Sequence, residues 1–114
     1  LYHIRTLSNL HYLSIRDNAL NDNSIIHLTT TKFPKLRSLD CGNNFFTLEF
    51  AKQLITLTSL TNLNVSNSPL SDSSLYYITR LPRLTKLNMK ATRITNDFVR
   101  QLKQHYPHID LILS

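Results

Sequence analysis

The 114-residue sequence holds one glycine, Gly42, and one cysteine, Cys41. A lone glycine excludes the glycine-rich loop that cradles phosphates, because that loop needs several residues without a Cβ. A lone cysteine excludes a disulfide framework and a cysteine-rich zinc site, and it points to a reducing, intracellular compartment. No run approaches the roughly 18 apolar residues that a membrane-spanning helix needs. No cleavable leader pattern opens the chain. The chain begins at Leu1 in mid-pattern, and so reads as a piece of a longer protein. No Ser-His-Asp or Cys-His set has a recognisable spacing. His105 and His108 flank Pro107, which breaks a helix between them, and no carboxylate cluster joins them. No cofactor, metal, catalytic residue or small-molecule substrate is expected, and the chain does not read as an enzyme.

What the sequence does contain is a repeat. The apolar share is 41% and the charged share 18%, so the composition is that of a folded domain. One pattern recurs: an apolar residue, two variable, an apolar, one variable, an apolar, two variable, a small polar residue, one variable, an apolar. Its copies are Leu10, Leu13, Ile15, Asn18, Leu20; Leu36, Leu39, Cys41, Asn44, Phe46; Leu60, Leu63, Val65, Ser68, Leu70; and Leu84, Leu87, Met89, Thr92, Ile94. A fifth copy begins at Ile109. Between copies, apolar residues recur at helical spacing: Ile25 and Leu28; Phe50, Leu54 and Leu57; Leu75, Ile78 and Leu81; Phe98 and Leu102. Polar helix-starting residues precede them, and Pro34, Pro82 and Pro107 close three of the units. Leu1, Ile4 and Leu7 read as the tail of one more helix.

The segment from Leu84 through Leu87, Met89, Thr92 and Ile94 to Thr95-Asn96-Asp97 resembles the leucine-rich repeat signature. Its short repeat, helix and Ile-Thr-Asn-Asp loop are similar to the cysteine-containing subfamily found in many F-box proteins. The chain departs from that subfamily at the ladder position, which is Asn18, Asn44, Ser68 and Thr92 where the subfamily has Cys. The resemblance covers practically the whole chain, as one domain (1–114) of about four and a half repeats. It implies an α/β solenoid, with a parallel sheet on the concave face and helices on the convex face. One repeat cannot bury its apolar face alone, so neighbours must stack.

Period-two alternation places Leu13, Ile15, Leu39, Cys41, Leu63, Val65, Leu87 and Met89 inward. The amides of Asn18 and Asn44 are expected to satisfy backbone groups between repeats, and the shorter Ser68 and Thr92 only in part. The last segment admits two registers. One puts Ile112 inside; plain alternation puts Ile109, Leu111 and Leu113 inside. Phe45 is either an exposed rim contact or local packing. Helix alignment puts Tyr77 outside and Tyr76 half buried.

The candidate binding surface is the outward strand face, implied by the family likeness: Tyr12, Ser14, Arg16, Asp40, Asn62, Asn64, Lys86, Asn88, Lys90 and, just after, Arg93. Tyr and Arg are common binding anchors. Residues 80–114 carry seven positive and two negative side chains, against six and five before them. Arg83, Lys86, Lys90 and Arg93 form the densest basic group, suited to an acidic patch on a protein partner. Few aromatics interleave with these cations, which weighs against nucleic acid. The resemblance implies a protein-interaction module, a substrate-recognition part of a ubiquitin-ligase adaptor, or a pathogen effector acting inside a host cell. The alternatives are a structural brace in a larger protein and a binder of acidic or phosphorylated ligands at the basic repeats. Asn64-Val65-Ser66 matches a glycosylation acceptor and is taken as a chance match.

Overall fold

The computed structural model describes residues 9–24 and 33–113. The expected helical stretches at Leu1, Ile4 and Leu7 and at Ile25 and Leu28 lie outside the described residues. One short strand recurs per repeat: β1 (Tyr12–Ser14), β2 (Ser38–Asp40), β3 (Asn62–Asn64), β4 (Lys86–Asn88) and β5 (Asp110–Ile112). Among the described residues they form one parallel sheet in chain order. The helices α1 (Leu48–Leu54), α2 (Asp72–Ile78) and α3 (Asn96–His105) cross between β2 and β3, β3 and β4, and β4 and β5. Parallel neighbours require such a crossover. Helices are roughly 10 Å wide and strands sit about 4.8 Å apart, so the stack curves with the sheet inside.

The inward leucines stand in register. Leu13 lies beside Leu39, Leu39 beside Leu63, Leu63 beside Leu87 and Leu87 beside Leu111. Ile15, Cys41, Val65 and Met89 form a second buried row. Phe50, Leu54, Leu75, Ile78 and Leu102 meet these rows from the helices, and Phe46 stacks on Phe50 with ring centroids 4.1 Å apart. Each such buried side chain contributes roughly 1.5–3 kcal/mol.

Asn44 ties two repeats together. Its buried Nδ2 donates to the carbonyls of Ile15 (2.9 Å), Cys41 (3.1 Å) and Gly42 (3.2 Å). Its Oδ1 accepts from the amides of Asn18 (3.2 Å) and Leu20 (2.9 Å). Ser68 and Thr92 each donate one bond, to Ser66 O and Met89 O, within their own turns. A hydroxyl has one proton to give, so it cannot repeat what an amide does. Asp17, Asn43, Asn67 and Ala91 precede these ladder residues and all have positive φ. That left-handed backbone suits Asp and Asn and is costly for alanine.

A second tie joins the loops. Asp22 accepts hydrogen bonds from the amide and hydroxyl of Thr47. Asp72 does the same for Thr95, at 2.9 and 2.8 Å. Thr95 in turn caps α3 by accepting from Phe98 N. Asp72 therefore reaches into the next repeat as well as standing at the start of its own helix.

One open register is decided and one expectation is corrected. In β5 the alternating register holds for Ile109, which is buried, and for Leu111, which joins the inward row, with Ile112 paired to Asn88 on the outward face; Leu113, which that register also puts inside, lies past the strand and is exposed. The cause lies in the strand's first hydrogen bond. Thr85 and Lys86 both donate to Thr61 O, whereas Asp110 alone donates to Thr85 O. One residue fewer is spent, so the last strand step is shorter than the pattern suggested. On α2, Tyr76 is 49% exposed, while Tyr77 is half buried and packs on the core. Lys52 and Tyr76 are the equivalent positions of helices that begin at Leu48 and Asp72. A one-residue slip in aligning them turns a side chain by about 100° around the axis.

Replacing Asn44 by Ala should destabilise the chain by about 3 kcal/mol or more, since several buried backbone groups lose their partner at about 1–3 kcal/mol each. Ser68→Ala should cost about 1 kcal/mol or less. Urea unfolding of the two variants checks the contrast. Ala91→Asn should raise stability by about 0.5–1 kcal/mol by relieving a left-handed alanine; an unchanged or lower melting midpoint would show that the turn carries no such strain.

Candidate functional site

The outward strand positions make a shallow concavity of about 280 Å³ across the sheet. The structure gathers Tyr12, Asp40, Asn62, Asn64, Lys86 and Asn88 around it. Ile112 closes its far end, a position the sequence does not single out because it admits two registers there. Tyr12 stands at the near end with 61% of its surface exposed. Ser14, Arg16, Lys90 and Arg93 do not line this concavity.

Three of the lining residues also serve the backbone. The Oδ1 atoms of Asp40, Asn64 and Asn88 accept from the amides of Gly42 (3.0 Å), Ser66 (3.0 Å) and Lys90 (3.2 Å). Each closes the strand it ends, as Asx side chains commonly do. The recurrence of Asp or Asn at this position in three repeats is the signal for it. The other side-chain atoms remain at the surface of a half-buried residue.

Arg16 is drawn along the sheet. Its Nη1 donates to Ser66 Oγ (3.2 Å), two repeats away, and lies 3.4 Å from Asp40 Oδ1. Its Nε is 3.8 Å from Asp17. Gly42 lies beneath this path. A Cβ there would collide with Arg16 Nη1 and press on Ser66 Oγ at 2.9 Å. The glycine thus opens a channel for the guanidinium and has no left-handed φ to explain it. Its signal in the sequence is a missing side chain at a position held by Arg16, Ser66 and Lys90 elsewhere.

The expected basic group divides. Arg83 and Lys86 stand where β4 begins, and Lys90 and Arg93 stand beyond its end. Four residues of extended chain separate Lys86 from Lys90 by about 13 Å. All four cations are exposed. Phe45 is 64% exposed at the rim, its backbone amide bonded to Leu20 O, so it does not fold over the edge as local packing.

The chemistry on view is hydrogen-bonding groups, charge and two apolar ends. Cys41 is fully buried; burial, then the charge of Asp40, pushes its thiol far above the ordinary range, which keeps it unreactive. His105 Nδ1 sits 2.9 Å from Gln101 O, and the His108 ring packs edge-on to Tyr106. Among the described residues no three His, Cys, Asp or Glu side chains gather as metal ligands, and no helix there is long and apolar enough to cross a membrane.

An internalin of Listeria monocytogenes has a similar solved structure, with a TM-score of 0.61 and 20% identity over 98% of this chain and 37% of that one. The chain is a leucine-rich repeat solenoid. Two receptor-like proteins of Arabidopsis thaliana, numbers 43 and 32, are 32% and 31% identical to it over 84 residues, 74% of the chain. The chain spans only 11% and 9% of their lengths. No family profile matches it.

The Gly42 channel makes a prediction. Arg16→Ala should cost about 0.5–1 kcal/mol, the usual size for a partly exposed ion pair. In a Gly42→Ala background the same change should cost close to nothing, because the guanidinium is already expelled. A double-mutant cycle by urea unfolding measures the coupling; additive effects would mean that Gly42 serves something else.

Proposed function

We propose that the concave sheet face is a protein-recognition surface and that this leucine-rich repeat module binds, and does not catalyse. The observation that carries the reading is the continuous concavity from Tyr12 to Ile112. Its residues are outward on the strands, so they are exempt from core packing and free to specify a partner. Tyr12 supplies an amphipathic anchor and Ile112 an apolar one. Asn62, Asn64 and Asn88 offer amide hydrogen bonds between them. Ser14 and Arg16 extend the surface along the first repeat, with Arg16 held in place for a partner carboxylate.

The partner's matching surface is acidic. Lys86 lies in the concavity, and Lys90 and Arg93 extend the positive field past the end of the same strand. No described residue forms an ion pair with these three. The narrower roles are also proposals. A ubiquitin-ligase adaptor part rests on the Ile94-Thr95-Asn96-Asp97 loop's likeness to the F-box type, and a pathogen effector rests on the repeat alone. An intracellular site rests on the single, buried thiol.

The test is capture of partners from lysate by the parent chain and by a folded variant carrying Tyr12→Ala, Lys86→Glu and Lys90→Glu, followed by titration of any partner found. Tyr12→Ala alone should weaken binding about tenfold or more, as loss of an anchor does. The two lysine reversals should weaken it and flatten its salt dependence. A partner held equally by the triple variant would move recognition to the convex helices or the ends and favour a structural brace.

A further inference from the structure

A second surface lies at the rim where the strands begin, away from the concave face. Each repeat brings two side chains there in fixed order. His11, Arg37, Thr61 and Thr85 form one row, held by backbone bonds: Arg37 N donates to His11 O, Thr61 N to Arg37 O and Thr85 N to Thr61 O. Lys35, Ser59 and Arg83 form the other, each two residues earlier in its repeat. The rows border a cup of about 290 Å³, lined by His11, Lys35, Arg37, Ser59, Thr61 and Arg83.

The cup's shape follows from residue size. The middle repeat offers only Ser59 and Thr61, which make a low floor. Their hydroxyls are turned to the backbone, Ser59 to Leu36 O and Thr61 to Arg37 O. The repeat before supplies Lys35 and Arg37 as one wall; the repeat after supplies Arg83 as the other. Two strand spacings, about 10 Å, separate the walls.

The cations at this rim are unpaired among the described residues. Lys35, Arg37 and Arg83 are exposed and belong to no ion pair among the described residues. Most carboxylates lie elsewhere and are engaged: Asp17 and Asp40 with Arg16, Glu49 with Lys52, Asp97 with Arg100, and Asp22 and Asp72 with threonines. Asp110 is the one described carboxylate near this rim, one repeat beyond Arg83 and paired in register with Lys86. Three cations, two of them guanidinium forks, facing across a small cup match a tetrahedral oxyanion better than a single carboxylate. No Phe, Tyr or Trp lines the cup to stack a base. A polypeptide is therefore the better carrier of the anion than a nucleic acid strand.

We infer that the cup formed by Lys35, Arg37, Ser59, Thr61 and Arg83 is a docking site for a phosphorylated side chain on a polypeptide. It is independent of the concave-face reading, since it shares no lining residue with that surface. Phosphate brings the charge of about −1.5 to −2 that such a cluster is suited to hold.

Inorganic phosphate titrated into the 15N-labelled chain is the first probe. Saturable shifts should concentrate at the amides of Lys35, Arg37, Ser59, Thr61 and Arg83. They should vanish in Arg37→Glu/Arg83→Glu and persist in Tyr12→Ala; a matching melting curve shows that the charge-reversed variant is folded. Shifts spread equally over Lys86, Lys90 and Lys103, or none, would overturn the site. A peptide library with a fixed phosphoserine among neutral residues is the second probe. It should be retained at least tenfold better than the same library with serine, and Arg37→Lys should keep part of that preference where Arg37→Glu loses it. Equal retention of the two libraries, or stronger capture of an oligonucleotide, would overturn the phosphopeptide assignment.

Discussion

The alignment of one leucine over the next along five parallel strands is the constraint on which the rest depends. Leu13, Leu39, Leu63, Leu87 and Leu111 share a row because each strand can bury its inner face only against neighbours. Once that row is fixed, every outward residue is fixed too, because side chains alternate with period two. The concave face is thus the reverse side of the core. A slip of one residue in a single strand would exchange the two, as the placement of Ile112 shows.

The repeats differ in how they are tied. Asn44 spans from its own turn to the backbone around Ile15, Asn18 and Leu20, whereas Ser68 and Thr92 bond only within their turns. The aspartates supply ties at other joints, Asp22 to Thr47 and Asp72 to Thr95. In a linear array each repeat meets only its neighbours, so stability is a sum of such local joints. The Asn44 joint is one of these, between adjacent repeats, and Arg16 reaching Ser66 over Gly42 adds a tie on the outer face that skips a repeat.

Charge is sorted by the fold in a way that the linear order conceals. Arg83 is close in sequence to Lys90 and Arg93, yet β4 separates it from them, with Lys86 between them in the concavity. Lys35 and Arg37, far away in the chain, come to face Arg83 across Ser59 and Thr61. One surface is a broad concavity with apolar ends and amides between; the other is a compact basic cup. Their lining residues are distinct.

The sequence by itself determined the solenoid. Its repeat, its inward rows and the helix faces built on Phe50, Leu54, Leu75 and Ile78 follow from periodicity, which is a local property of the chain. It also located the outward face, including Tyr12, Asn62 and Lys86, because alternation leaves no other place for them. Only the tertiary structure decided the register of β5, where Asp110 N bonds to Thr85 O and Met89 N to Ile112 O, and the choice between Tyr76 and Tyr77, which hangs on a one-residue offset. It alone brought Arg16 to Ser66 and Lys35, Arg37 and Arg83 to one cup. Those placements bring together residues 46 to 50 positions apart in different repeats, and no periodic pattern records how far a flexible arginine or lysine will reach once the repeats are stacked.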